Sequence, residues 1–413
     1  MDQTKITKHK WAFSPRFRRQ AFGWRSQPAI DQIKEAVTEI KAMARQDKML
    51  AADGVVALLE KLSPALEQID SSSGAIGTAV NNAIEALVPI FAGSPADNTV
   101  RMAWLERLWK AVEEDRIPYI EILPDHWGTL CRTKELAGSW ADRFIDQVRT
   151  HWAADRNKEF SPYFKGTSAC LSCLLTASRY VELLELLELS PYKSWGERRW
   201  GVKALAAMGN KAEALRYAED SRGQYSNPLA IAMACEEILL ESGLASEAYS
   251  RYAIQANQKT TYLATFKAIA KKYPQKEAAA ILADLVASSP GNEGKWFAAA
   301  KSAGLYAQAI ELANRTPCDP RTLTRAARDM QNTEPRFAVE AGMAALRWMS
   351  AGYGYEITGQ DVLESSTMTL KAARNAGCEA ETMDRLRTLI KADLSGKQLV
   401  SRILGPELGP GKY

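Results

Sequence analysis

The feature that most constrains this chain is a short pattern that recurs five times between residues 178 and 310. A turn residue is followed four positions later by Glu or Gln and then usually by Ala, and apolar residues at helical spacing flank each copy. The copies begin at Ser178, Gly209, Gly243, Tyr273 and Gly304, with spacings of 31, 34, 30 and 31 residues. A period of this length predicts stacked helical hairpins, an architecture that usually binds partners.

Each residue type in the pattern has a physical reason. Gly at a helix end adopts the left-handed conformation at little steric cost, and Ala five residues later lets two helices approach closely. The pattern resembles the tetratricopeptide repeat over about residues 170–316, and the wider sequence is similar to an uncharacterised bacterial family of helical-repeat proteins, which implies no activity. The pairs that carry the resemblance are Gly209/Ala214, Gly243/Ala248 and Gly304/Ala309, whereas Tyr273/Ala278 keeps only the Ala and Ser178/Leu183 keeps neither residue.

Apolar residues also recur at helical spacing outside the repeats. We therefore predict an all-α protein, with an irregular helical N-terminal half that continues into a right-handed, tetratricopeptide-like α-solenoid. The predicted segments are a basic aromatic arm (1–30), a helical N-terminal region (31–165), helical repeats (166–350), a C-terminal helical cap (351–403) and a flexible tail (404–413).

The positive charge of the chain is concentrated at one end. Residues 1–30 hold seven Lys or Arg and one acid, leaving 46 of the 53 basic residues and 48 of the 49 acidic residues for the rest of the chain. The net charge of +4 therefore arises entirely in the arm. Such a concentration of charge in one short segment marks the arm as a candidate functional segment.

The arm interleaves cations with five large aromatics, which are Trp11, Phe13, Phe17, Phe22 and Trp24. Three interpretations stay open: the aromatics dock on the protein's own first helices, the arm binds an acidic protein partner, or it binds nucleic acid by neutralising phosphates and stacking on bases. The arm residues proposed to bind are Lys8, Lys10, Trp11, Arg16, Arg18, Arg19, Trp24 and Arg25.

A second candidate surface is the inner face of the repeats. The first helix of each hairpin tends to line that face, where a basic groove would suit an acidic peptide or a phosphate backbone. A solvated charged face is the alternative. The basic residues on these helices are Arg198, Arg199, Lys203, Lys267, Lys271, Lys295 and Lys301, joined further on by Arg321, Arg325 and Arg328.

Motifs for chemistry are lacking. The six cysteines are too scattered for a disulfide scaffold, which favours a reducing, cytoplasmic setting. Cys170 and Cys173 have metal-ligand spacing but no second pair of ligands, so two buried helical cysteines are expected. His126, in a loop beside Asp125, is expected to make an ordinary hydrogen bond. No cofactor, metal site or membrane span is predicted, and no catalytic motif is found.

From these patterns we expect a non-catalytic cytoplasmic adaptor. It would bind a protein partner, such as an acidic protein, through its helical repeats and basic arm. The alternative is a nucleic-acid-binding accessory factor that uses the arm and the basic repeat helices.

Overall fold

A computed structural model describes residues 9–155, 164–190, 194–223, 226–393 and 398–408. Within these ranges every regular element is a helix and no residue lies in a β-strand, so the predicted all-α class is confirmed. The chain divides into two compact units, Met1–Ile238 and Leu239–Tyr413. The division falls inside one helix, and the segment boundaries predicted from the sequence stay predictions.

The first unit begins with a 3-10 turn at Ser14–Arg16 and holds another at Leu123–His126. Its helices are α1 (Ser26–Ala44), α2 (Lys48–Leu66), α3 (Ala75–Ala92), α4 (Asn98–Glu114), α5 (Trp127–Cys131), α6 (Lys134–Asp155), α7 (Gly166–Thr176), α8 (Tyr180–Glu188), α9 (Trp195–Ala207) and α10 (Lys211–Glu219), and the helix at the division is α11 (Pro228–Glu241).

Most helices of the first unit pack on the next helix and on the helix after it. Helix α1 contacts α2 and α3, α2 contacts α4, α5 contacts α7, and α7 contacts α8 and α9. Successive helices therefore cover one another's apolar faces. This is the packing expected of stacked helices, whereas the right-handed solenoid stays a prediction.

Aromatic side chains fill the centre of the first unit. Trp109, Trp127, Trp140 and Phe144 are all buried, and their ring centroids lie 4.5–6.1 Å apart. Most of the rings are tilted or edge-on, which is the arrangement that the quadrupoles of aromatic rings favour. The cluster joins α4, α5 and α6 into one core.

A buried cation ties three chain segments together. The Arg101 guanidinium donates to the carbonyl oxygens of Phe91, Ser94 and Leu130 at 2.9–3.3 Å, and also to the Ser94 hydroxyl. Phe91 and Leu130 lie near the C-terminal ends of α3 and α5, where the helix dipole is negative and carbonyls lack partners. Burial lowers the pKa of Arg101.

The repeat turns have the geometry that the sequence predicts. Gly209, Gly243 and Gly304 have φ values of 85°, 74° and 74°, and Ser178 has a φ of 60°. At each, the following N–H bonds to a carbonyl five residues earlier, as in Asn210 to Leu205 at 2.9 Å, which is the Schellman pattern. Tyr273 instead has a φ of −121°.

In its described residues, the second unit contains a 3-10 turn at Glu293–Trp296 and ten further helices. These are α12 (Ala245–Ala256), α13 (Tyr262–Lys272), α14 (Ala278–Ala287), α15 (Phe297–Ser302), α16 (Tyr306–Arg315), α17 (Pro320–Met330), α18 (Pro335–Ser350), α19 (Gly359–Ala376), α20 (Glu379–Lys391) and α21 (Leu399–Leu408). Helices α17, α18 and α19 pack on one another, with a small core at Ala338, Val339, Ala372 and Ala373.

The predicted flexible tail needs a correction at its start. Residues 404–408 belong to α21, and Leu404 is buried. Helix α21 packs on α18, α19 and α20, and this tertiary burial outweighs the unfavourable helix propensity of Gly405 and Pro406. Residues 409–413 lie outside the described residues.

One described helix, Ala75–Ala92, is long and apolar enough to cross a membrane by length and composition alone. A helix buried in a protein core can have the same length and apolar composition. Ile76, Val80, Ile84 and Leu87 of this helix belong to the buried core of the first unit.

Candidate functional site

The aromatic part of the arm is docked on its own protein. Trp11, Phe13, Phe17 and Phe22 are buried and form a chain of ring contacts with centroid separations of 5.4, 6.2 and 5.5 Å. The Trp11 ring lies on Gly54 of α2, where a Cβ would come within 2.3 Å of it. The structure thus shows docking for four of the five aromatics, whereas Trp24 is exposed. Trp11 is a core residue, not a free contact residue.

Polar contacts of the backbone hold the arm in place. The Glu39 carboxylate on α1 accepts hydrogen bonds from the N–H groups of Ala12 at 2.8 Å and Phe13 at 3.1 Å. The Gln20 N–H donates to the carbonyl oxygen of Pro64 at 2.8 Å. These contacts use partners more than 25 residues away, so no local sequence signal indicates them.

The predicted arm cations fall into two groups. Arg16 pairs with Glu35 of α1 at 2.5 Å, and Arg19 pairs with Glu67, the residue that follows α2, at 3.1 Å. Both arginines are therefore neutralised. The other described cations make no ion pair within the described residues, and Lys8 lies outside them. These exposed cations are Lys10, Arg18 and Arg25, and Trp24 beside them is 71% exposed.

The predicted basic residues of α9 are held by internal contacts. The Arg198 guanidinium lies 3.9 Å from the ring centroid of Tyr217, and Arg199 pairs with Asp125 at 2.6 Å. The Lys203 ammonium lies 4.9 Å from the Trp200 ring centroid. Cation–π contact and pairing reduce what Arg198 and Arg199 can offer to a partner.

The predicted basic residues of the second unit are more open. Lys267 and Lys271 are exposed on α13 and form no ion pair among the described residues. Lys295 is also exposed, and its ammonium lies 5.7 Å from the Tyr262 ring centroid. No described contact joins these three lysines into one site.

Three arginines share one face of α17. Arg321, Arg325 and Arg328 are spaced four and three residues apart, which places them on one side of a helix. The helix begins at its N-cap Asp319, whose carboxylate accepts from the Thr322 N–H at 2.9 Å. The arginines line a cleft of about 420 Å³, hereafter the arginine cleft, which is lined by Asp319, Arg321, Thr324, Arg325, Arg328, Tyr355, Asp361 and Glu364.

The first of these arginines, Arg321, stabilises the fold. Arg321 donates to both carboxylate oxygens of Asp361 at 2.7 and 3.1 Å and to the Glu356 carbonyl at 2.9 Å. Asp361 also closes a capping box with Thr358 at the start of α19. Hydrogen bonding to Arg321 is the main reason that the pKa of Asp361 lies far below its usual value.

The other two arginines are not neutralised in the same way. Arg325 donates only to the Arg321 carbonyl at 3.3 Å and the Thr322 hydroxyl at 3.0 Å, and no carboxylate pairs with it in the described part of the chain. Arg328 contacts its neighbour Asp329 at 3.0 Å, but Glu364 only at 4.0 Å. The cleft thus offers one unpaired guanidinium and one weakly paired guanidinium.

Two further groups define the arginine cleft. Tyr355 is 79% exposed, and Thr324 is 5% exposed with a hydroxyl that has no hydrogen-bond partner. A buried hydroxyl without a partner is unusual in a protein interior. Asp319, Asp361 and Glu364 balance the three arginines, so the cleft accepts one anionic group better than a row of them.

The residues considered for chemistry do not form a reactive site. Burial is the main reason that the pKa of the His126 imidazole is lowered. No described protein group hydrogen-bonds to this side chain, and the ordinary hydrogen bond expected for it stays a prediction. Cys170 and Cys173 are buried on α7, as expected, and burial raises the pKa of Cys170 to about 12. No cluster of three potential metal ligands occurs in the described ranges.

No family model, curated protein or solved structure matches this chain. The tetratricopeptide resemblance and the bacterial helical-repeat family therefore stay expectations from the sequence.

Proposed function

We propose that this protein is a non-catalytic cytoplasmic adaptor that binds an acidic segment of a protein partner at the arginine cleft. The observation that carries the proposal is Arg325, a guanidinium in a cleft that has no carboxylate partner among the described residues. A carboxylate from a partner would supply a charge-assisted bidentate hydrogen bond, which is the interaction that an arginine side chain forms best.

The surroundings of Arg325 favour a peptide over a nucleic acid. The three carboxylates that line the cleft would repel a row of phosphates, whereas a single Asp or Glu side chain meets only Arg325 and Arg328. The exposed Tyr355 ring offers an apolar surface for a neighbouring side chain, and tyrosine and arginine are both enriched at binding hot spots.

The test uses fluorescent peptides and anisotropy. We expect a peptide with Glu and Leu in a Gly/Ser background to bind the full chain, and its Gln counterpart to bind at least about tenfold more weakly. Arg325→Glu should lower the affinity for the Glu peptide by a similar factor. Arg374→Glu is the matched control, because Arg374 lies on α19 ten residues beyond Glu364, about 15 Å along the helix.

Equal affinities for the Glu and Gln peptides would contradict the proposal. So would equal losses of affinity in Arg325→Glu and Arg374→Glu.

A second candidate function rests on a separate observation in the arm. Trp24 is 71% exposed beside the unpaired Arg25, a combination that suits stacking on a base of single-stranded nucleic acid. Binding of fluorescent dT20 should then fall steeply with salt and should weaken in Trp24→Ala. Arg16→Ala, which removes a paired cation, is the control. No binding of dT20 at low salt would exclude this function.

A further inference from the structure

A second cavity in the second unit is lined by more apolar side chains than the arginine cleft. It measures about 620 Å³, within the range of small-molecule sites, and lies between α18 and α20 beside the end of α16. Met343 and Ala344 of α18 and Leu389 and Ala392 of α20 supply apolar walls. We call it the Arg347 cavity, because Arg347 is the lining cation that has no carboxylate partner among the described residues.

Arg347 is a partly buried cation whose guanidinium lies 4.7 Å from the Trp348 ring centroid, and no described hydrogen bond uses its Nε or Nη1. Its Nη2 donates to the carbonyl oxygens of Ala313 and Asn314 at 3.2 and 3.4 Å, at the C-terminal end of α16. Its buried Nε has no hydrogen-bond partner. Burial lowers the pKa of Arg347, and no described carboxylate pairs with it. A guanidinium in this state gains more from an arriving anion than a solvated one does.

The other charged groups of the cavity limit how many negative charges a bound ligand can carry. Arg385 is neutralised by both carboxylate oxygens of Glu340, at 2.6 and 2.8 Å, so it offers no free charge. Glu381 and Asp384 add negative charge to the lining. A ligand with several negative charges would be repelled, whereas one anionic group beside Arg347 leaves the rest of the ligand against apolar side chains.

We propose that the Arg347 cavity binds an amphipathic organic monoanion, a small molecule with one carboxylate and an apolar body. The carboxylate accepts hydrogen bonds from Arg347, and the apolar body packs on Met343, Ala344 and Leu389. This site is separate from the arginine cleft, and its occupancy does not depend on the adaptor function proposed above.

The experiment titrates the full chain with four probes that share an eight-carbon chain: octanoate, octanol, octylammonium and octyl phosphate at a pH where it is a dianion. Calorimetry gives the affinities, and the methyl resonance of Met343, assigned with Met343→Leu, reports binding in the cavity. Octanoate should bind at least about tenfold more tightly than each of the other probes and shift the Met343 resonance.

Two variants test the assignment to Arg347. Arg347→Gln should lower the octanoate affinity at least about tenfold, to that of octanol, because it removes the charge. Arg374→Gln, on α19 outside the cavity, should leave the affinity unchanged. If Arg347→Gln fails to fold, Ala392→Trp tests the site instead, because Ala392 is exposed at the cavity wall and an indole there blocks the space with Arg347 intact.

Tighter binding of octanol, octylammonium or octyl phosphate would overturn the proposal. So would full octanoate affinity in Arg347→Gln or in Ala392→Trp, an octanoate titration that leaves the Met343 resonance unshifted, or no octanoate binding up to its solubility limit.

Discussion

Gly54 lies beneath the Trp11 indole, so the smallest added side chain would disturb the docked arm. A Cβ on Gly54 would stand 2.3–2.8 Å from three atoms of the ring, which lies buried and has little room to move. We expect Gly54→Ala to destabilise the protein by about 1–3 kcal/mol, as overpacking of a core does, although Ala is the better helix former. Thermal or urea unfolding measures the change.

The control is a second helical glycine in the same unit. A Cβ on Gly77 of α3 would meet no atom within 4 Å, so Gly77→Ala should stabilise the protein by about 0.4–1 kcal/mol. A stabilising Gly54→Ala would show that Trp11 does not occupy its place on α2.

At the residue scale, the sequence predicts which residue types matter better than it predicts their partners. The burial of the arm aromatics follows from the cost of exposing large rings to water. Arg199 shows the limit: its partner Asp125 comes from a loop 74 positions earlier, and no periodicity reports such a pairing. The unpaired state of Arg325 likewise depends on where α19 places its carboxylates.

At the scale of elements, Glu39 is the main polar anchor between the arm and α1. Its carboxylate accepts two backbone N–H groups of the arm, and hydrogen bonds to a charged group contribute about 1.5–3 kcal/mol each. Glu39→Ala should therefore release the arm locally. We expect faster tryptic cleavage at Arg16 and Arg18 and loss of hydrogen-exchange protection over residues 11–17.

Glu35→Ala is the control for the release of the arm. Glu35 lies one turn away on α1 and makes an exposed pair with Arg16, which contributes little to stability. Its removal should change the cleavage rate much less. If the Glu39 and Glu35 variants are cleaved at the same rate, the carboxylate of Glu39 does not hold the arm.

Long helices were predicted closely from their apolar periodicity, and short ones were not. The apolar residues that recur at helical spacing outside the repeats include those of α3 and α4. The sequence predicts a loop at His126, but this region contains a 3-10 turn that ends at His126 and then the five-residue α5. A helix of five residues is too short to show a period, and its position depends on burial of Trp127 and Leu130.

At the scale of the whole molecule, the cysteines report on the integrity of the fold. Five of the six are buried, and only Cys378 is partly exposed. Burial raises the pKa of Cys318, as it does that of Cys170, to about 12, so neither forms the reactive thiolate near neutral pH.

A thiol reagent at pH 8 should therefore modify about one thiol rapidly in the native protein and all six in guanidinium chloride. Cys378→Ser should abolish the rapid phase. Rapid modification of several thiols in the native state would contradict the packing of both units.

The docking of the arm also affects how the chain folds during its synthesis on the ribosome. Its aromatic rings leave the ribosome before the residues that cover them, since Trp11 precedes Gly54, on which its ring lies, by 43 residues. At synthesis rates of about 5–20 residues per second, the rings wait on the order of 2–10 s in water. During that interval the arm is an exposed apolar segment of the kind that chaperones hold, and stable docking of the arm must follow the emergence of α2.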